Sequence, residues 1–258
     1  MSPDGTSLDF EDLYVDGEKL CLSEEDLICL TQSEEFFGIE KLFLGNNQIG
    51  EREIRALIKA PSRITSLYLH NNKMGDLGTK ALATSELVRN LNCLMLEGNK
   101  IGPEGAKALA ESSGLKNLEV LFLDANPIGP EGIRAIAESE NFPRLKELHL
   151  DNTGIGDEIK FLANSKTLTG LEKLYLCSNK IGDEGAIALA NSTNLKTLKA
   201  LSIWRNEIRD AGGQAIVESK TFDNLERLYM SFNFIEKPTL NMIRKSKLAA
   251  RLKTLVMD

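Results

Sequence analysis

Few residues in this chain could do chemistry. His149 and Asp151 stand two apart, so on an extended segment they share a face, and a carboxylate beside an imidazole can make a general base. Cys177 falls about one strand further on, within reach of His149 in principle, and His70 several strands earlier. Catalysis needs a nucleophile, a base and an orienting group that converge where water is kept out. An open strand face gives no such enclosure, so the chain is not expected to be an enzyme. No Cys-x-x-Cys or His-x-x-x-His occurs, so neither a metal nor any other cofactor is implied. The segments Gly102 to Gly105, Gly129 to Gly132 and Gly182 to Gly185 invite comparison with a phosphate loop. They lack the Gly-x-x-x-x-Gly-Lys-Ser/Thr pattern and recur along the chain, which makes them a turn and packing device.

What positions these residues is a repeat. Leu-x-x-Leu-x-Leu-x-x-Asn-x-Ile begins at residues 39, 64, 91, 118, 145, 171, 198 and 225. A weak first copy is expected at Phe10, with Leu13 and Val15, and a last half-copy at Leu252. Starts spaced by 25 to 29 residues over nearly the whole length leave no room for a second domain. The expected organisation is an N-terminal tail over 1–9 and one repeat domain over 10–258.

Each unit reads alike. Apolar positions 1, 4 and 6 make a short strand with its leucines turned inward. Asn47, Asn72, Asn99, Asn126, Asn179, Asn206 and Asn233 follow at position 9, where an amide can both donate to and accept from turn backbone. Stacked, they predict an asparagine ladder. Thr153 stands in that place in one unit and predicts a less satisfied turn. Pro103 and Pro130 suit a first helical turn, and acids there complement its dipole. Ala106 to Ala110 and Ala186 to Ala190 then supply a small-residue helical stripe that packs on the strand.

The run Leu118-x-x-Leu121-x-Leu123-x-x-Asn126-x-Ile128, with Gly129-x-x-Gly132 after it, resembles the leucine-rich repeat family and its ribonuclease-inhibitor-like class. The Gly-x-x-Gly-Ala-x-Ala-Leu-Ala segments also resemble bacterial repeats of the GALA type. The resemblance implies an α/β solenoid: a right-handed horseshoe with about ten parallel strands inside and helices on the convex side. Ten strands at about 4.8 Å give an inner arc of roughly 45 Å, wide enough for a folded partner.

On that fold, positions 5 and 7 face out from the inner sheet. Position 5 reads Tyr14, Phe43, Tyr68, Met95, Phe122, His149, Tyr175, Ser202, Tyr229 and Val256; all four tyrosines stand in this column. Position 7 brings Asp16, Gly45, His70, Glu97, Asp124, Asp151, Cys177, the single Trp204, Ser231 and Asp258. Such a column could stiffen the sheet by neighbour packing. The favoured reading is a binding ridge centred on Trp204, Arg205, Tyr175, Arg227, Tyr229 and Phe232, beside an acidic patch of Glu97, Asp124 and Asp151. The expected partner is a protein or peptide with basic and apolar features.

Thirty-one basic against 38 acidic residues give a net charge of −7, which argues against nucleic acid and anionic membranes. No apolar run is long enough to span a bilayer. Scattered cysteines and the lack of a signal sequence predict a cytoplasmic protein. Residues 1–36 carry a net −10 and residues 237–258 a net +5. These read as capping charges on a monomer, with head-to-tail association as the alternative. Two alternative roles stand beside simple binding. One is a small-GTPase regulator using Arg205 and Arg227, as the resemblance permits; the other is a bacterial effector delivered to a host by a non-classical route.

Overall fold

The computed structural model describes residues 2, 4–11, 13–15, 18–59 and 63–257. Among these, ten short strands form one sheet, every neighbouring pair parallel. They are β1 (Ser7–Asp9), β4 (Lys41–Phe43), β5 (Ser66–Tyr68), β6 (Cys93–Met95), β7 (Val120–Phe122), β8 (Glu147–His149), β9 (Lys173–Tyr175), β10 (Ala200–Ser202), β11 (Arg227–Tyr229) and β12 (Thr254–Val256). A separate antiparallel pair, β2 (Tyr14–Val15) and β3 (Glu18–Lys19), follows β1. The helices are α1 (Glu24–Gln32), α2 (Glu51–Leu57), α3 (Gly75–Ala83), α4 (Pro103–Ala110), α5 (Gly129–Glu138), α6 (Lys160–Ala163), α7 (Asp183–Ala190), α8 (Asp210–Glu218), α9 (Lys237–Arg244) and α10 (Lys247–Arg251).

Each strand is short because its pleat presents only two inward positions, four and six of the repeat. Leu42, Leu67, Leu94, Leu121, Leu148, Leu174, Leu201 and Leu228 are in register and fully buried. Position 8 then leaves the sheet in the left-handed region: Asn46, Asn71, Ala125, Asn152, Ser178, Arg205 and Phe232 all have φ between 53° and 61°. That bend carries the chain towards the helices, whose small residues Ala106, Ala186 and Gly185 are buried against the core.

The first copy differs from the sequence expectation. Ser7, Leu8 and Asp9 pair with Lys41, Leu42 and Phe43, so the segment read as a tail over 1–9 holds the first strand. Leu8 is buried where Leu13 was expected to be, and Phe10 packs against the core. The Phe10, Leu13, Val15 spacing imitates positions 1, 4 and 6, but the hairpin of β2 and β3 takes up the extra residues. Tyr14 is therefore not in the sheet column. It lies on that hairpin, 60% exposed, and Asp9 stands at the head of the column. Asp16 and Asp258 lie outside the described residues.

Three polar ladders tie the repeats together. Asn126 is fully buried; its amide donates to Leu96 O at 2.8 Å and Leu123 O at 3.0 Å, and its Oδ1 accepts from Asn99 N and Ile101 N. Asn47, Asn72, Asn99, Asn179, Asn206 and Asn233 each donate in the same way to carbonyls of their own turn, of the preceding repeat, or of both. Thr153 breaks the pattern: its hydroxyl reaches Leu150 O and Asn179 Oδ1, and Ile128 N–H turns to Asn126 O.

The second ladder is made of serines. Ser139, Ser165 and Ser192 each donate at 2.6 Å to a carbonyl of the helix one repeat back, and Ser112 and Ser219 do the same. The third is made of aspartates that cap the following repeat's helix. Asp76 Oδ1 accepts from Gly102 N and Gly105 N, and Asp157 Oδ1 from Gly182 N and Gly185 N. A Cβ at Gly105 would lie 2.6 Å from Asp76 Oδ1, so the second glycine of the pair makes room for a neighbour's carboxylate.

Candidate functional site

The open face of the sheet carries repeat positions 3, 5 and 7. Position 5 is a half-buried column of rings. Phe43 stacks on Tyr68 with centroids 4.2 Å apart, and Phe122, His149 and Tyr175 form a continuous stack at 3.8 and 4.2 Å. Met95 joins these two stacks in the strand order. Parallel strands in register set this spacing, and neighbouring rings cover one another's faces. The ladder therefore contributes packing as well as surface. Ser202 interrupts it, so Tyr229 stands apart from Tyr175.

Trp204 belongs to position 7 and meets Phe232 edge to face at 5.3 Å. Arg205 follows it in the left-handed bend and is exposed. Arg227, at position 3 of the next strand, is half-buried. Trp204, Arg205, Arg227, Tyr229 and Phe232 thus lie on two adjacent strands and the bends that follow them.

The acids lie in a row along position 7. Asp124 Oδ1 accepts the Asp151 N–H, and Asp151 Oδ1 accepts the Cys177 N–H, each at 2.6 Å. Burial pushes the Asp124 carboxyl up to about 7; the charges of Asp151 and Glu97 add to the rise, and the Asp151 N–H opposes it. None of Glu97, Asp124 and Asp151 pairs with a lysine or arginine among the described residues.

His149 pairs differently from the sequence expectation. Its Nε2 lies 2.8 Å from Glu147 Oε1, and Lys173 Nζ lies 2.7 Å from Glu147 Oε2. Glu147 and Asp151 are both two residues from the histidine, but the Asp151 carboxylate is turned to the next strand's backbone. Burial holds His149 below its usual pKa against the pull of Glu147. Hydrogen bonds from Lys173 and His149 outweigh burial and hold Glu147 below the usual carboxylate value. Burial pushes the Cys177 thiol up to about 11, and its Sγ sits 3.0 Å from Ser202 Oγ, so at neutral pH it is a thiol and a poor nucleophile.

His70 lies at the N-terminal end of the face. Its ring occupies the space a Cβ on Gly45 would need, and its Nδ1 is 3.7 Å from Glu11 Oε1. Glu11 holds the position 7 place that Asp16 was expected to fill. Glu11, Glu147 and Lys173 escaped the sequence reading. The signal for the last two was position 3 of the repeat, a third outward column that reads Lys41, Ser66, Cys93, Val120, Glu147, Lys173, Ala200 and Arg227.

Comparison with known proteins agrees with this geometry. A leucine-rich repeat family model matches residues 89–110, 114–137, 168–190 and 194–217. A solved structure from Bacteroides fragilis aligns over 95% of this chain and 74% of its own, with a TM-score of 0.57 and 14% identity, which shows a shared fold. No curated protein matches the sequence significantly. The chain is a leucine-rich repeat protein, an α/β solenoid of a kind that generally serves as a protein-interaction scaffold. Among the described residues no helix is long and apolar enough to cross a membrane.

Proposed function

We propose that the open sheet face holds a protein or peptide whose basic side chains lie beside apolar ones. The observation that carries this reading is the row Glu97, Asp124, Asp151, three neighbouring acids without a lysine or arginine partner among the described residues. A guanidinium or ammonium from outside would relieve their mutual repulsion. Two strands beyond Asp151 along the same row stands Trp204, with Phe232 at its edge and Tyr229 one strand on. Strands are about 4.8 Å apart and an extended peptide advances about 3.4 Å per residue. A basic residue roughly three places from an apolar one would therefore engage the acids and the aromatic corner together.

Trp204 is the only tryptophan, so its emission reports on this corner directly. The test is a set of synthetic nine-residue peptides that pair a leucine or phenylalanine with arginine, serine or aspartate at a three-residue offset. The arginine peptides should shift Trp204 emission saturably, and Asp124→Asn with Asp151→Asn should weaken them about tenfold. Equal responses to the arginine and aspartate peptides would overturn the reading.

A further inference from the structure

We propose that the two ends of the solenoid bind each other between molecules, so that a second copy of this chain docks head to tail. This stands apart from the open-face reading and uses different residues.

The observation is where apolar surface lies. Nine large apolar side chains are exposed among the described residues; Phe232 and Val256 belong to the open face, and five of the other seven fall in residues 14–37 and 234–242. Tyr14, Leu20 and Phe37 all fall in the first repeat copy, at 60, 46 and 47% exposure. Phe234 and Met242 stand at the other end, at 59 and 39%. The long stretch between the ends exposes only Leu77 and Ile187 among such residues. An interior repeat covers most of its apolar residues with its neighbours, whereas here the Arg209 guanidinium lies 5.7 Å over the Phe234 ring and the rest of these side chains stay in part open to solvent.

The charges around the two groups are opposite. Glu25, Glu34 and Glu35 are exposed beside the first group, within a segment of net −10. Lys237, Arg244, Lys245 and Lys247 are exposed beside the second, within a segment of net +5. None of these seven makes an ion pair among the described residues. Between α8 and α10 a groove lined by Val217, Met242 and Leu248 carries Lys220, Lys245 and Lys247 together with Glu218 and an Arg251–Asp223 ion pair, so its lining has more basic than acidic groups. An apolar side chain carried on an acidic surface fits that groove, and the N-terminal end of another copy supplies one.

The same complementarity sets the symmetry. A two-fold contact through either end would place like charge on like. A heterologous contact brings −10 against +5 at a single interface, and such contacts propagate.

The test is sedimentation velocity on the whole chain over a hundredfold range of concentration, at about 0.05 M and about 0.5 M salt, which shortens the Debye length about threefold. The weight-average sedimentation coefficient should rise with concentration at low salt and fall back at high salt. The head variant Tyr14→Ser with Leu20→Ser and the tail variant Lys245→Glu with Lys247→Glu should each remain monomeric. All four positions are solvent-exposed, and circular dichroism is the check that each variant folds before it is sedimented. Mixed one to one, they should form dimers and stop there, because each retains one intact end. The double variant Tyr175→Ala, Trp204→Ala should self-associate like the wild type, which separates this contact from the open face. A wild type that is monomeric throughout would overturn the proposal and leave the apolar ends to another occupant. So would association that salt does not weaken, or head and tail variants that fail to complement.

Discussion

The side chain of Asp124 accepts the backbone N–H of Asp151 at 2.6 Å, while the two carboxylates repel each other. A sheet backbone thus holds an acid in place beside another acid, and the cost falls on the ionised state of Asp124.

That cost has a defined pH dependence. The folded pKa of Asp124, about 7, lies above the ordinary value of 3.8. The group's contribution to stability is therefore complete below about pH 4 and is lost as pH rises through 7. Asp124→Asn, which keeps the acceptor for Asp151 N–H, should stabilise the protein by about 1–3 kcal/mol at pH 8 and change little at pH 4. Urea unfolding at the two pH values measures the difference. An equal effect at both would remove Asp124 as the source.

Ligand binding should show the opposite sign. A cationic side chain favours ionised Asp124, so binding of a basic peptide should strengthen between pH 6 and pH 8. Asp124→Asn should flatten that dependence. Isothermal titration at three pH values checks it, with proton release expected on binding near pH 7.

The ladder rung missing at Thr153 can be supplied. In Thr153→Asn the new Oδ1 could accept from Ile128 N–H, as Asn126 Oδ1 accepts from Ile101 N–H. Thermal unfolding should show a gain of about 1 kcal/mol. Asn126→Ala should lose about 3 kcal/mol or more, because it leaves buried carbonyls and amides unpaired on both sides of the rung.

Capping across repeats predicts a paired effect. Asp76→Ala should cost about 1–2 kcal/mol by freeing Gly102 N–H and Gly105 N–H. Gly105→Ala should also destabilise, and by less in the Asp76→Ala background, since the added Cβ meets Asp76 Oδ1. A double-mutant cycle on denaturant midpoints reads the coupling.

Much of this architecture was legible in the residues because the repeat is strict from Ile39 onward, and its leucines, asparagines and glycines have single physical jobs. The first strand was misplaced because Phe10, Leu13 and Val15 stand at a plausible spacing for positions 1, 4 and 6, whereas Leu8 takes position 4 only through its pairing with Leu42. The serine ladder was equally periodic, with Ser112, Ser139, Ser165, Ser192 and Ser219 near 27 residues apart, but a serine after a helix reads as a loop residue until its acceptor is seen. His149 was paired with Asp151 because both neighbours at two residues' distance share its face; only the structure shows which carboxylate turns towards it. The aromatic column was visible, yet its stacking required strand register to three-dimensional accuracy.

The central claim is that the open face is the binding surface. Its most direct test is capture from native lysate on immobilised wild type beside the double variant Tyr175→Ala, Trp204→Ala, both shown to be folded by circular dichroism. The account predicts a partner that the wild type retains and the variant loses, eluted by raised salt. A partner held equally by both would contradict it and move the interaction to the helices or the ends.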